Sequence, residues 1–277
     1  MRHRLRSRSW KIGIELFLLA LFVGWSAFPI FWMISMSLKT KVDAFAMPPQ
    51  WIFRPTIVNF FRAVTSRGFV AFYLNSVLIG LISTAVVLAV TVPSAYTLSR
   101  IEFARKKDLD FWILTTRMAP PVGILIPYFL IFRRLGLVDT RISIIVMHVA
   151  LNLPLSVWVL KGFFKEVPSE LEEAAFVDGS GRWGAFLRVI LPLTAPGIGA
   201  TAILCFILSW NELMFALTLS STQSKTAPVA LYNFIAYLEI HWGPLMAAAT
   251  LVLLPVLVFF IIVQQQLVKG LTFGALK

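Results

Sequence analysis

The sequence predicts an all-α, polytopic membrane protein with six transmembrane helices. Of its 277 residues 58% are hydrophobic and 14% are charged, whereas soluble domains have about 45–50% and about 25%. Six apolar segments reach the length of about 20 residues that a helix needs to cross a bilayer. None of them alternates between apolar and polar residues as barrel strands do. The predicted spans are residues 12–38, 72–98, 111–132, 142–162, 196–219 and 244–268.

The basic N-terminus, residues 1–11, precedes the first apolar segment. It resembles the start of a signal peptide, but the apolar run that follows is longer than is usual there and lacks a small-residue cleavage site. We therefore predict a retained first span. Residues 12–277 are expected to form a single transmembrane domain, with a polar cytoplasmic loop at 166–195 between the fourth and fifth spans.

The distribution of lysine and arginine predicts the orientation. With the N-terminus inside, 15 of these residues lie on the inner side and 9 on the outer side, so both termini are expected in the cytoplasm. The formal charge of +12 comes from residues that flank apolar runs, which argues against a nucleic-acid partner. The one cysteine, Cys205, lies in an apolar run and is expected to be a small buried hydrophobic residue.

The loop at 166–195 is polar, charged and rich in small residues, and its pattern predicts two short helices. Ser169 and Glu172 fit an S-x-x-E capping box, and Gly179 or Gly181 can end the first helix with a positive φ. Helical spacing places Leu171, Ala174 and Ala175 on one shallow face, flanked by Glu172 and Glu173. Pro192 and Pro196 are expected to break the second helix before the fifth span. Such a helix suits either a groove on another protein or the membrane surface, and the spacing alone leaves both open.

A resemblance to a known family favours the groove on another protein over the membrane surface. Glu173-Ala174-Ala175, then Gly179, then Val189-Ile190-Leu191-Pro192 resemble the EAA signature of membrane subunits of bacterial ABC importers. Further stretches resemble the carbohydrate importers, and the chain is similar to the smaller permease of maltose-type transporters. These stretches are Met118–Pro121, Arg134–Thr140, Trp210–Glu212 and Gly270–Lys277.

The resemblance implies the type I ABC importer permease fold and a set of partners. The protein partners are a second, homologous permease subunit, two ATPase subunits that bind ATP and Mg²⁺, and an extracytoplasmic solute-binding protein. The chain would also contact a carbohydrate-like solute and the surrounding lipid bilayer. The resemblance implies no cofactor in this chain. Residues 169–187 would couple to the ATPase, Thr272–Lys277 would lie at the ATPase dimer interface, and the 220–229 loop would reach the binding protein. The implied coupling residues are Glu172, Glu173, Ala174, Ala175, Asp178, Gly179, Leu191 and Pro192.

The chain has no nucleotide-binding motif of its own. Gly179, Gly181 and Gly184 match G-x-G-x-x-G, but that motif needs a preceding strand in a βαβ unit, which is missing from the predicted pattern. The phosphate-binding G-x-x-x-x-G-K-[ST] does not occur. Energy for transport is therefore expected from a partner.

Polar residues within the spans are candidates for the solute pathway, because ionisable groups at membrane depth are costly. Each also has a structural interpretation as a contact between helices, and Arg117 has a further one in snorkelling towards Asp110. The candidates are Arg117, Asn75, His148, Asn152, Asn211 and Glu212.

Two other classes of protein are weaker alternatives. An ion-coupled secondary transporter needs carboxylates near the midplane, for which only Glu212 is a candidate. A membrane-embedded enzyme needs a catalytic constellation, and neither a nucleophile with paired His and acid nor a metal-ligand cluster is evident in the sequence.

Overall fold

The computed structural model describes the backbone of residues 2–66, 68–235 and 240–273, and the side chains of these residues except 2–11, 233 and 262–273. Within this part of the chain the secondary structure is helical, apart from one isolated bridge between Ile235 and Ile240. Contacts divide the chain into two units. The first comprises residues 1–67 and 233–253, and the second comprises residues 68–232 and 254–277.

The first unit begins with α1 (Arg2–Ser37), followed by α2 (Lys41–Ala44) and α3 (Val58–Thr65). The apolar side chains of α1 are largely exposed, as expected of a helix that faces lipid. The end of α1 is fixed by Asn59, whose Nδ2 donates to the carbonyls of Ser37 and Lys39 at 2.9 and 2.8 Å. A helix end leaves such carbonyls without partners, so Asn59 supplies a cap from α3.

Three long helices form the core of the second unit: α4 (Phe69–Arg100), α7 (Arg141–Glu166) and α10 (Leu191–Asn211). α4 packs along α7, and α10 packs against both. Small residues allow the close approach that membrane helices need. A methyl group added at Gly197 of α10 would lie 2.4 Å from the Phe163 ring of α7, and one at Gly80 of α4 would lie 2.9 Å from the Phe206 ring.

The predicted third span, 111–132, is divided into α5 (Lys106–Thr116) and α6 (Pro121–Arg134), which meet at 90°. The break follows from Pro120 and Pro121, because a residue before proline is disfavoured in the helical region and proline is well placed at the first position of a new helix. Arg117 therefore lies at the end of α5, and not inside a continuous span.

The predicted fifth span, 196–219, is shifted. Helix α9 (Arg182–Ala185) continues through a π-helical turn, Phe186–Ile190, into α10, so Pro192 and Pro196 do not break it as expected. The N–H of Leu191 bonds to the carbonyl of Phe186. We attribute this π turn to Pro192, whose ring clashes with a carbonyl four residues earlier. The span ends at Asn211, and α11 (Met214–Leu219) is separate.

α8 (Ser169–Val177) lies in the polar loop, α12 (Ala227–Ala230) precedes a 3₁₀ turn at Leu231–Phe234, and α13 (Trp242–Phe273) covers the last predicted span. The positions of α8 and α13 agree with the sequence prediction, whereas α12 and the turn after it were not predicted. Among the described residues, five helices are long and apolar enough to cross a membrane, or six if α5 and α6 together count as one span.

Candidate functional site: the segment between α7 and α10

The first helix of this segment, α8, ends in a Schellman motif. The N–H of Ser180 donates to the carbonyl of Ala175 at 2.9 Å, and the N–H of Gly179 donates to that of Phe176 at 3.0 Å. This motif requires a left-handed residue just after the helix, and Gly179 has φ +82°. Of the two glycines that the sequence left open, Gly179 is thus the one that ends the helix, whereas Gly181 has φ −72° and precedes α9.

The inner edge of α8 consists of Glu172 and Ala175, each 7% exposed. The Tyr96 hydroxyl, near the end of α4, donates to Glu172 Oε1, and Arg100 Nε lies 3.6 Å from Oε2. The prediction that Glu172 completes a capping box is wrong, because its carboxylate turns inward and no side chain caps the start of α8. The prediction that Glu172 flanks an exposed face is wrong for the same reason.

Outside this inner edge the segment exposes apolar side chains on more than one side; we call these residues its outer, apolar edge. Val177 is 88% exposed, and Leu171, Phe176, Trp183 and Leu187 are also exposed. Of the predicted coupling residues, Glu173, Ala174, Asp178 and Pro192 lie in the exposed class, Leu191 is half-buried, and Ala175 is buried. The shallow face therefore keeps Leu171 and Ala174 but loses Ala175 to the interior.

Several predicted pathway residues contact other helices or loops. Asn152 Nδ2 of α7 donates to Ser209 Oγ of α10 at 2.9 Å, and Ser83 of α4 donates to the same hydroxyl at 3.2 Å. Asn75 Nδ2 donates to the carbonyls of Gln223 and Lys225 at 2.8 and 3.0 Å. Asn75 and Asn152 thus hold the fold together, and a role in the solute pathway stays a prediction.

Glu212 lies between the last residue of α10 and the first residue of α11. Its carboxylate accepts the N–H groups of Phe215 and Ala216 at 2.9 and 3.0 Å, which caps α11. His148 is buried on α7, with Nε2 3.5 Å from Glu212 Oε2. Glu212 is therefore already bound within the chain.

The other two pathway candidates are exposed. Arg117 Nη1 donates to the carbonyl of Leu151 on α7, and Asn211 Nδ2 donates to the carbonyl of Ile207 in its own helix at 3.0 Å. The alternative of Arg117 snorkelling to Asp110 is not what the structure shows, because Asp110 pairs with Lys161. Both Arg117 and Asn211 keep further donors for another group.

Asp139, in the turn between α6 and α7, anchors the loop after α11, and the sequence analysis missed it. Its two carboxylate oxygens accept the N–H groups of four successive residues, Ser221–Ser224, at 2.9–3.2 Å. Asp139 itself has φ +61°, which Asp and Asn tolerate better than other side chains. A single aspartate 82–85 residues from its partners gives no local signal, so sequence reasoning could not have found this contact.

Partial desolvation raises the pKa of Asp139, but the N–H donors of Ser221, Ser224 and Thr222 and the Thr222 hydroxyl outweigh it, so the pKa lies well below its ordinary value. A lowered pKa stabilises the folded loop above the unfolded pKa of about 4, and this stabilisation is lost only as the pH falls through the lower, folded value. We therefore expect the loop to stay anchored from pH 8 down to about pH 4.

Replacing Asp139 by Asn should release this loop. Asn keeps the tolerance for positive φ but removes the charge that makes these hydrogen bonds strong. Amide hydrogen exchange at residues 221–224 should become at least about ten-fold faster at neutral pH, whereas Asp43→Asn, at an exposed site in the first unit, should leave it unchanged. Equal exchange in Asp139→Asn and the wild type would contradict the anchoring role.

The predicted tail contact at Thr272–Lys277 lies outside the residues whose side chains the structure describes, so it stays a prediction.

The three-helix core, the broken third segment and the polar segment with an exposed apolar edge define a membrane-embedded transport subunit. Residues 69–273 match the family of inner membrane components of binding-protein-dependent transport systems. The trehalose transport system permease protein SugB of Mycobacterium tuberculosis is 38% identical over 263 residues, which are 93% of this chain and 94% of the relative. The diacetylchitobiose uptake system permease protein DasC of Streptomyces coelicolor is 32% identical, with 100% of both chains covered.

Solved structures agree on the fold. A chain of a bacterial ABC transporter that imports the acidic polysaccharide alginate superposes with a TM-score of 0.78 at 23% identity, covering 91% of this chain and 94% of that chain. The chain belongs to the family of binding-protein-dependent transport system inner membrane components. The predicted ABC importer permease fold is thereby confirmed, and the chain is a transport component and not an enzyme.

Proposed function

We propose that this chain is one of two permease subunits of an ATP-driven importer for a carbohydrate or carbohydrate-like solute. The second permease is a different, homologous chain, two ATPase subunits bind ATP and Mg²⁺, and an extracytoplasmic protein delivers the solute. The relatives' names support the solute class, since SugB belongs to a trehalose transport system and DasC to a diacetylchitobiose uptake system. The motif G-x-x-x-x-G-K-[ST], which binds nucleotide phosphates, does not occur in the sequence. This supports ATP binding by a partner.

The orientation follows from the same proposal. Both termini lie in the cytoplasm. The excess of lysine and arginine in the inner loops supports this orientation. The segment between α7 and α10 then faces the cytoplasm, where ATP is available. The loop that Asp139 anchors faces outward, towards the binding protein.

One observation supports the coupling role most strongly: the exposed apolar edge of α8 and α9. Val177, Phe176 and Trp183 expose apolar surface beside the exposed carboxylates of Glu173 and Asp178. Exposed apolar side chains with carboxylates among them suit a groove on a soluble partner, and a solvent-exposed helix would otherwise leave these side chains in water at a cost. A lipid-facing position is less suitable, because two carboxylates accompany them.

Glu173→Ala tests the coupling role. Glu173 is exposed on α8, the helix that we propose to dock. We therefore expect it to pair with a basic residue of the ATPase. Removing one partner of a desolvated charge pair costs about 2–5 kcal/mol, so solute-stimulated ATP hydrolysis and uptake in proteoliposomes should both fall at least about ten-fold.

The matched control is Glu102→Ala, in the turn after α4, outside the segment between α7 and α10 and also exposed. It changes the net charge equally and should retain nearly wild-type uptake. If Glu173→Ala also retained it, the assignment of Glu173 would be wrong.

The ion-coupled alternative is less well supported. It needs a carboxylate that is free to bind an ion at membrane depth, and Glu212 is occupied with the N–H groups of α11. Among the pathway candidates, the exposed Arg117 and Asn211 are the ones we expect to contact the solute.

A further inference from the structure

A cluster of three polar side chains joins α8 to the ends of two long helices; we call Tyr96, Arg100 and Glu172 the clasp. Glu172 accepts from the Tyr96 hydroxyl and lies beside Arg100. Arg100 Nη2 also donates to the carbonyls of Phe164, at 2.9 Å, and of Val167. One carboxylate on α8 is thereby tied to the last turn of α4, and through Arg100 to the end of α7.

Burial of the Glu172 carboxylate costs free energy, and this burial calls for an explanation. A buried carboxylate destabilises the fold unless it is paired and hydrogen-bonded, and an apolar residue in its place is often neutral or stabilising. The neighbouring Glu173 stays exposed, so the acidic character of α8 does not require burial. Glu172 has both kinds of partner.

The rest of the inner edge of α8 contributes only non-directional packing. Apart from Glu172, the one residue of α8 in the buried class is Ala175. Its methyl group packs against its neighbours without a hydrogen bond that would fix distance or direction. Charge-assisted hydrogen bonds instead fix distance and direction. The aromatic ring of Tyr96 adds a further link, with its centroid 4.5 Å from that of Phe186 in the π turn and 5.9 Å from that of Phe164.

We propose that Glu172 is the positioning residue through which displacement of α8 is transmitted to α4. This inference rests on the proposed function, in which a partner ATPase moves α8. The clasp makes α8 and the end of α4 move as one body, so that work done on the outer edge of α8 reaches the transmembrane core.

Glu172→Gln tests the clasp in the complete complex with its ATPase partners. Gln keeps the size of the side chain but loses the charge, so the pairing with Arg100 is lost while the outer edge of α8 is unchanged. The ATPase should still bind and hydrolyse ATP, but the solute imported per ATP hydrolysed in proteoliposomes should fall about ten-fold. Glu102→Gln, which removes an exposed charge from the turn after α4, should retain the wild-type ratio.

A distance measurement separates transmission from simple stabilisation. Spin labels at Ser169→Cys, at the start of α8, and Phe103→Cys, just beyond α4, occupy exposed positions away from the exposed apolar residues of α8. The natural Cys205 is 1% exposed. The separation of the two labels should stay constant between the nucleotide-free and nucleotide-trapped complex, and should change or broaden in Glu172→Gln. A separation that changes equally with and without Glu172 would overturn the inference.

The outcomes also distinguish the clasp from the proposed function. If Glu173→Ala lowers uptake and Glu172→Gln retains the wild-type ratio, the clasp inference fails and the docking role stands. If neither variant changes coupling, the docking role fails as well. Should Glu172→Gln not assemble, Tyr96→Phe removes a single hydroxyl from the clasp, and a wild-type ratio in that variant counts against the inference.

Discussion

Gly179→Val should sharply lower solute-stimulated ATP hydrolysis and uptake. Gly179 has φ +82°, a conformation that costs L-residues about 1–2 kcal/mol and is least tolerated by β-branched side chains. Valine would favour a different backbone, and the two hydrogen bonds that end α8 would be lost. Because α8 and α9 together present the apolar edge, their relative direction would change and the ATPase groove would no longer fit. We expect uptake to fall at least about ten-fold.

The control for this prediction is Gly181→Ala, two residues further on. Gly181 has φ −72°, and a methyl group added there meets no atom within 4 Å. Uptake should therefore remain near the wild-type level. If Gly179→Val transported as well as Gly181→Ala, the turn would not be needed for coupling.

Gly197→Leu should prevent stable packing of the core. A methyl group at Gly197 would lie 2.4 Å from Cγ of Phe163 and 2.7 Å from two further ring carbons, so even alanine forces the ring to move. Leucine adds three more carbons between α10 and α7. Overpacking costs about 1–3 kcal/mol where the neighbours can adjust, and here the clash involves the base of a ring. We expect a marked loss of extracted protein and a lower melting temperature.

Gly162→Ala is the matched control on α7, next to Phe163. A methyl group at Gly162 meets no atom within 4 Å, and alanine favours a helix by about 0.5–1 kcal/mol over glycine. Its melting temperature should equal or exceed that of the wild type. Equal melting temperatures for Gly197→Leu and the wild type would contradict the packing described for α7 and α10.

The sequence was sufficient to predict the fold class, because the bilayer imposes simple rules on length and composition. The second, fourth and sixth predicted spans lie within α4, α7 and α13. The end of α8 was predictable to within two residues, at Gly179 or Gly181, because a left-handed residue after a helix is usually glycine. The motif from Glu173 to Pro192 indicated the family, which the comparisons confirm.

Tertiary contacts decided what the sequence did not predict. Ser169 and Glu172 have the spacing of a capping box, but Tyr96 and Arg100, more than 70 residues earlier, draw Glu172 inward. Pro192 looked like a helix breaker, but the π turn before it lets the helix continue. The break at Pro120 was recognisable from local rules, yet hydropathy averaged across it predicted one span.

The central claim is that the polar segment between α7 and α10 is bound by an ATPase that this chain lacks. A photoreactive amino acid at Val177, which is 88% exposed on α8, tests it in membranes that contain the whole transporter. The account predicts a crosslink to the nucleotide-binding subunit that depends on assembly. A crosslink only to lipid, or to a protein on the outer face of the membrane, would contradict it.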